Sequence, residues 1–150
     1  MIKEFDGEFA FLSNFSHSLI LHEGIVYPTV EHFFQAMKTL IPAEREAIAA
    51  APTPGIAKRM GRKVNLRPDW ETIKVDVMRT GLRLKFSDYE LAQKLLATGD
   101  KYLIEGNVWH DNTWGSCNCA KCASTPGRNL LGQLLMEVRE EVRSEWEHMQ

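Results

Sequence analysis

Glu31, Gln35 and Lys38 recur at i, i+4 and i+7 in the segment Tyr27-Pro28-Thr29-Val30-Glu31-His32-Phe33-Phe34-Gln35-Ala36-Met37-Lys38. At about 3.6 residues per turn they share one helix face, while Val30, Phe33, Met37 and Leu40 line a neighbouring apolar face. A lysine held against apolar walls loses hydration, which lowers its pKa and frees the amine to attack a carbonyl or aminal carbon. A glutamate on the same stripe can supply or remove the proton that such an attack requires.

The elements that must position this stripe can be traced along the chain. Phe9-Ala10-Phe11-Leu12, Ser18 to His22 and Ile25 to Tyr27 are short apolar or alternating runs divided by Ser13-Asn14 and Glu23-Gly24, which predicts a small β-ribbon. Thr29 behind Pro28 is a candidate N-cap for a helix ending near Leu40 to Pro42. A short helix is expected over Ala43 to Ala51, and another turn or two over Ile56 to Met60, ending at Gly61. The strongest periodicity, Trp70, Ile73, Val77, Gly81 and Leu84, predicts a central helix from about Pro68 to Phe86. Ser87 with Glu90 three residues later suggests a capping box for a helix that stops by Gly99. Gly106 to Arg128 is irregular, and a final helix runs from Asn129 to about Trp146. The expected class is therefore mainly α with a small N-terminal antiparallel β element.

The chain has 150 residues, 44% hydrophobic and 25% charged, which suits one domain over 1–150 with a buried core. Its formal charge of -2 gives no general attraction to nucleic acid or anionic membranes. No stretch reaches the ~18 apolar residues of a membrane span, and Met1 to Asp6 lacks the pattern of a secretory leader, so a cytoplasmic location is expected.

Several spaced pieces together carry a family likeness: Phe11-Leu12-Ser13-Asn14-Phe15, Tyr27 to His32 with Gln35-Ala36 and Lys38, and Ala51 to Gly55 with Ala57-Lys58. They continue with Leu66-Arg67-Pro68-Asp69-Trp70, Ala97-Thr98-Gly99, Trp114-Gly115, and Gly127-Arg128-Asn129-Leu130-Leu131-Gly132 with Leu135-Met136. In this order, over nearly the whole chain, the sequence resembles the NADAR (YbiA-like) N-glycosidases. The resemblance implies a mainly helical fold with a small β element. It also implies hydrolysis of N-ribosyl bonds, in ribosylaminopyrimidine phosphates of riboflavin biosynthesis or in ADP-ribose attached to guanine, free or in DNA.

An N-ribosyl amine is an aminal whose ring can open to an imine, so a lysine can displace the amine through a Schiff base that water then hydrolyses. The resemblance assigns Lys38 as that nucleophile, Glu31 as acid or base, and Asp111 as the loop aspartate that binds ribose hydroxyls or activates water. Each residue also has a plain structural alternative: a surface lysine, a first-turn glutamate opposing the helix dipole, and an Asx-turn aspartate. His32, about 100° around the helix from Glu31, is expected to be structural. Trp70 and Trp114, the latter followed by Gly115, are candidates to stack on the base or to pack in the core. Asn14 reaches the sugar or supports its turn. Gly127-Arg128-Asn129, at the start of the last helix, is the expected phosphate site, with Asn129 also a candidate cap. Arg59 and Arg62 are additional cations.

All three cysteines lie in Cys117-Asn118-Cys119-Ala120-Lys121-Cys122. An odd count argues against a disulfide framework. A thiolate zinc site needs a fourth ligand, for which His110 or Asp111 is close in sequence, so a structural zinc and a reduced or redox-sensitive thiol loop are both open. The glycosidase chemistry itself requires no cofactor. The alternative to an enzyme is a binding module for ADP-ribose or a nucleotide, or a zinc-braced interaction domain.

Overall fold

The computed structural model describes residues 1–149, and the chain packs as two compact units: Asn14–Lys85, and Met1–Ser13 together with the chain from Phe86 onward. It is about half helical, with a small antiparallel ribbon, as the pattern predicts.

In the Asn14–Lys85 unit, β1 (Ile20–His22) and β2 (Ile25–Tyr27) pair antiparallel with Ile20 opposite Tyr27. The turn between them uses Glu23 and Gly24, both at positive φ. Helix α1 (Val30–Ala36) follows, capped by Thr29, whose hydroxyl accepts the His32 N–H at 3.1 Å. Every residue of α1 is buried, and it packs against α2 (Pro42–Ala49), α3 (Pro54–Gly61) and α4 (Trp70–Lys85). Phe33 meets Tyr27 edge-on at 5.6 Å between ring centroids, and Phe34 meets Trp70 at 5.0 Å. Such pairs add ~0.5–1.5 kcal/mol each beyond the area they bury.

The expected end of α1 near Leu40 to Pro42 is corrected: the helix stops at Ala36, with Met37 as C-cap. Ile41 is extended, as a residue before proline prefers. The carbonyls of the turn that follows are satisfied from elsewhere in this unit. Arg67 N–H donates to the Lys38 carbonyl at 2.8 Å, and Arg45 Nε to the Thr39 carbonyl at 2.8 Å. Lys38 therefore lies in a turn, and Leu40, expected in the apolar stripe, is 59% exposed.

In the other unit, Phe9 to Leu12 is not a strand. Gly7–Leu12 forms a 3-10 helix that buries Leu12, because the run lacks the alternation a ladder needs and Gly7 at positive φ turns the chain into it. Helix α5 (Tyr89–Ala97) is capped by Asp88 rather than Ser87, Asp88 Oδ1 accepting the Leu91 N–H at 3.0 Å. It packs on α6 (Leu130–His148), where Arg139 donates to Thr98 Oγ1 and to the Lys101 carbonyl, both at 2.9 Å. Inside the irregular stretch, β3 (Gly106–Asn107) and β4 (Ser116–Cys117) pair parallel.

Candidate functional site

Glu31, Gln35 and Lys38 come together on one face of α1 and its following turn. Gln35 Nε2 donates to Glu31 Oε1 at 2.9 Å, and the Glu31 N–H donates to the Asn14 carbonyl at 3.1 Å. Glu31 is 7% exposed, and burial raises its pKa against the Gln35 hydrogen bond and the charges of Lys58, Lys38 and His32, which lower it. Lys38 is half-buried. Its pKa is lowered first by that burial and further by Arg62 and Lys58, against the pull of Glu31 and Glu71. A carboxyl whose pKa is raised beside an amine whose pKa is lowered suits the pairing of an acid with a nucleophile. The Glu31 N–H thus ties to Asn14, whose carboxamide donates to Met78 Sδ at 3.4 Å while its buried Oδ1 lacks a protein partner among the described residues.

The neighbouring residues have structural work. His32 is 1% exposed, its Nε2–H donates to the Ala51 carbonyl at 3.0 Å, and Nδ1 lies 2.8 Å from Thr29 Oγ1. Trp70, expected either to stack on the base or to pack, is 5% exposed with its ring against Phe34. A groove of about 250 Å³ opens on the Phe33 and Met37 side of α1 but includes neither Glu31 nor Lys38.

The remaining candidates lie in the other unit. Asp111 Oδ1 accepts the N–H groups of Thr113 at 3.1 Å and Trp114 at 3.0 Å, forming a tight turn that carries Trp114. Asn107 steadies that turn, donating to the Asp111 carbonyl at 2.9 Å and accepting the Asp111 N–H at 3.2 Å. At Gly127-Arg128-Asn129, the expected phosphate site, the backbone N–H groups are already taken. Gly127 N–H donates to Ser116 Oγ, and those of Arg128, Asn129, Leu130 and Leu131 go to the carbonyls of Asn112, Gly115, Thr113 and Trp114. Asn129 is not an ordinary side-chain cap either: it sits at φ 52°, accepts the Glu105 N–H at 2.9 Å and donates to the Leu103 carbonyl at 2.8 Å. The Arg128 side chain is exposed.

The three cysteines are free thiols gathered around one ring nitrogen. His110 Nδ1 lies 3.4 Å from Cys122 Sγ, 3.4 Å from Cys119 Sγ and 3.7 Å from Cys117 Sγ. All four ligand atoms fall within 4.8 Å of one another, a set that can hold a metal ion.

A NADAR domain profile matches residues 2–143, with this geometry inside the match. The chain belongs to the NADAR family. It is 43% identical over 136 residues to N-glycosidase YbiA of Escherichia coli (strain K12), covering 89% of this chain and 81% of that protein. It is 36% identical over 152 residues to the chloroplastic riboflavin biosynthesis protein PYRR of Zea mays, covering 89% of this chain and 23% of that longer protein. The NMR structure of E. coli YbiA superposes with a TM-score of 0.80 at 39% identity, covering 97% of this chain and 87% of that one. No helix among the described residues is long and apolar enough to cross a membrane.

Much of the NADAR signature is packing. A Cβ on Gly115 would run into Glu105, one on Gly127 into the Gly115 carbonyl, and one on Gly132 into the Leu103 carbonyl, so these glycines allow the loop and α6 to touch. Two cations escape a sequence-only assignment. Lys58, which acts on both Glu31 and Lys38, is spaced i, i+4 from Arg62 on α3, a signal the sequence does contain. Lys85, pushed down to about 7 by burial and donating to Ser16 Oγ at 3.0 Å, reads in sequence only as a basic residue in the last turn of α4.

Proposed function

We propose that this NADAR protein is an N-glycosidase that hydrolyses the N-ribosyl bond of a ribosylamine through a Schiff base on Lys38, with Glu31 moving the proton. The observation that carries the reading is the placement of a buried carboxyl on α1 and a half-buried amine on the turn that follows it, where burial pushes the carboxyl pKa up and the amine pKa down. A binding module needs neither shift.

In the proposed reaction the ribose ring opens to the C1 imine and the Lys38 amine adds to C1. Glu31 passes a proton to the amine of the departing base, the C1–N bond to the base breaks, and the lysine Schiff base remains. Water then adds to C1 and the C1–N bond to Lys38 breaks, releasing the sugar and restoring the amine. A part for Asn14 at the sugar rests on the family resemblance. Asp111 and Trp114 are carried over by the family resemblance. The relatives named for riboflavin biosynthesis favour a ribosylaminopyrimidine phosphate as substrate, with ADP-ribosylated guanine as the second arm of the test.

The test is mass spectrometry of the protein incubated with each substrate, with and without borohydride. Free base together with a reduced sugar adduct on Lys38 is expected from one of them. Near-normal turnover in a folded Lys38→Ala variant would sink the Schiff-base route, and absence of product and adduct from both substrates would sink the glycosidase reading.

A further inference from the structure

We infer that His110, Cys117, Cys119 and Cys122 bind one zinc ion as a tetrahedral Cys₃His site, and that this ion braces the Asp111 to Trp114 turn. Valence limits what the histidine can do with its neighbours. A ring nitrogen carries one hydrogen or one lone pair and can make one good hydrogen bond, yet His110 Nδ1 faces three sulfurs at 3.4, 3.4 and 3.7 Å. Hydrogen bonding accounts for one of these contacts and leaves two unexplained. A shared ion accounts for all three. With Zn–S near 2.3 Å and Zn–N near 2.0–2.1 Å, tetrahedral angles set each N···S separation at about 3.5 Å, the mean of the three observed distances.

The donor set also selects the metal. Three thiolates and an imidazole in a tetrahedron suit zinc or iron–sulfur chemistry, and ligand atoms confined within 4.8 Å of one another leave room for a single ion rather than a cluster. The surroundings of the thiolates are those of a ligated site. Asn112 Nδ2 donates to Cys122 Sγ at 3.5 Å, and Asn112 Oδ1 accepts the Cys117 N–H at 2.8 Å, so one side chain orients two ligands. The Asn112 carbonyl in turn accepts the Arg128 N–H at 2.8 Å. Asp111 therefore lies between a ligand, His110, and a residue that holds two other ligands. Binding fixes both neighbours of the aspartate and displaces thiol protons to solvent.

The site goes beyond the proposed glycosidase reaction and can be tested without it. Elemental analysis of the protein purified under reducing conditions is expected to give one zinc per chain, and cobalt(II) exchange to give the intense d–d and sulfur charge-transfer bands of a tetrahedral thiolate site. Chelation should release the zinc, expose three titratable thiols, lower Tm, and speed hydrogen exchange at the Asp111 to Gly115 amides, with all four changes reversed by adding zinc back. Asn112→Ala, which keeps every ligand, should weaken zinc binding by about 10–100-fold. Folded, reduced wild-type protein that neither retains zinc nor gives a tetrahedral cobalt spectrum would overturn the site. Unchanged exchange at Asp111 to Gly115 on zinc removal would overturn the bracing role.

Discussion

Gln35 donates a 2.9 Å hydrogen bond to the Glu31 carboxyl one turn earlier, and the other end of the same carboxamide is wedged against the backbone of Gly61. The contact fixes Glu31 from two helices, since α3 can approach α1 this closely only where it has no Cβ. It also tunes the acid: the Gln35 hydrogen bond favours the carboxylate while burial favours the protonated form, and burial is the larger effect.

Gly61→Ala should therefore act on catalysis through Gln35. The added methyl would collide with the Gln35 carboxamide, and overpacking of this kind costs about 1–3 kcal/mol. Turnover should fall and the alkaline limb of the kcat/KM profile, where Glu31 loses the proton it donates, should move to higher pH, because losing the hydrogen bond raises the Glu31 pKa further. A variant with reduced stability but an unmoved alkaline limb would mean that Gln35 does not tune Glu31.

Glu31→Gln should trade activity for stability. Loss of the proton shuttle should lower kcat by about 10²–10⁴-fold. A carboxyl whose pKa is higher folded than unfolded binds its proton more tightly in the folded state. Stability therefore falls as pH rises between the two values, and the whole penalty stands above both. The glutamine removes that penalty, so Tm should exceed wild type at neutral and alkaline pH, by about 2–4 °C for each kcal/mol, and converge with it in acid. Thermal melts across pH decide it, and a variant less stable than wild type at alkaline pH would mean that the charge is well accommodated.

What the sequence reveals of this site follows the range of the interaction involved. The stripe of Glu31, Gln35 and Lys38 is local periodicity, so it is legible from spacing, and the same holds for the long helices around Trp70 to Lys85 and Leu130 to His148. The early end of α1 is not legible, because the donors that hold the turn after it, Arg45 on the Thr39 carbonyl and Arg67 on the Lys38 carbonyl, arrive from the next helix and the loop before α4. The engagement of the N–H groups at Gly127 to Asn129 has the same origin: a helix N-terminus looks open in sequence until loop carbonyls from Asn112 to Gly115 close on it. The cysteine spacing offers three candidate ligands, while the gathering of His110 against all three sulfurs comes from the fold, which puts Asp111 Oδ1 on its own turn.

Lys58→Gln and Arg62→Gln test the electrostatics of the nucleophile. Both cations disfavour the charged form of Lys38, so removing either should raise the Lys38 pKa. If the free amine attacks, the rising limb of kcat/KM that reports it should move to higher pH in each variant and further in the double variant, with rates at high pH converging on wild type. Both side chains are exposed, so added salt should blunt the effect. A limb that stays in place in the double variant would assign it to a group other than Lys38.

Asn129 provides the sharpest test of whether the start of α6 binds phosphate or holds the fold together. Its carboxamide satisfies the Glu105 N–H and the Leu103 carbonyl, and its backbone lies in the left-handed region. Asn129→Ala leaves both buried groups without their partner, at about 1–3 kcal/mol each, and forces an alanine into a conformation that costs about 1–2 kcal/mol. Asn129→Gly orphans the same two groups but accepts the backbone, so it should recover about 1 kcal/mol relative to alanine. Denaturant unfolding measures both differences. For the folded fraction of either variant, KM should change equally for phosphorylated and unphosphorylated substrates. A loss confined to the phosphorylated one would return Asn129 to the phosphate, and equal stability of the glycine and alanine variants would remove the left-handed backbone as the reason an asparagine stands there.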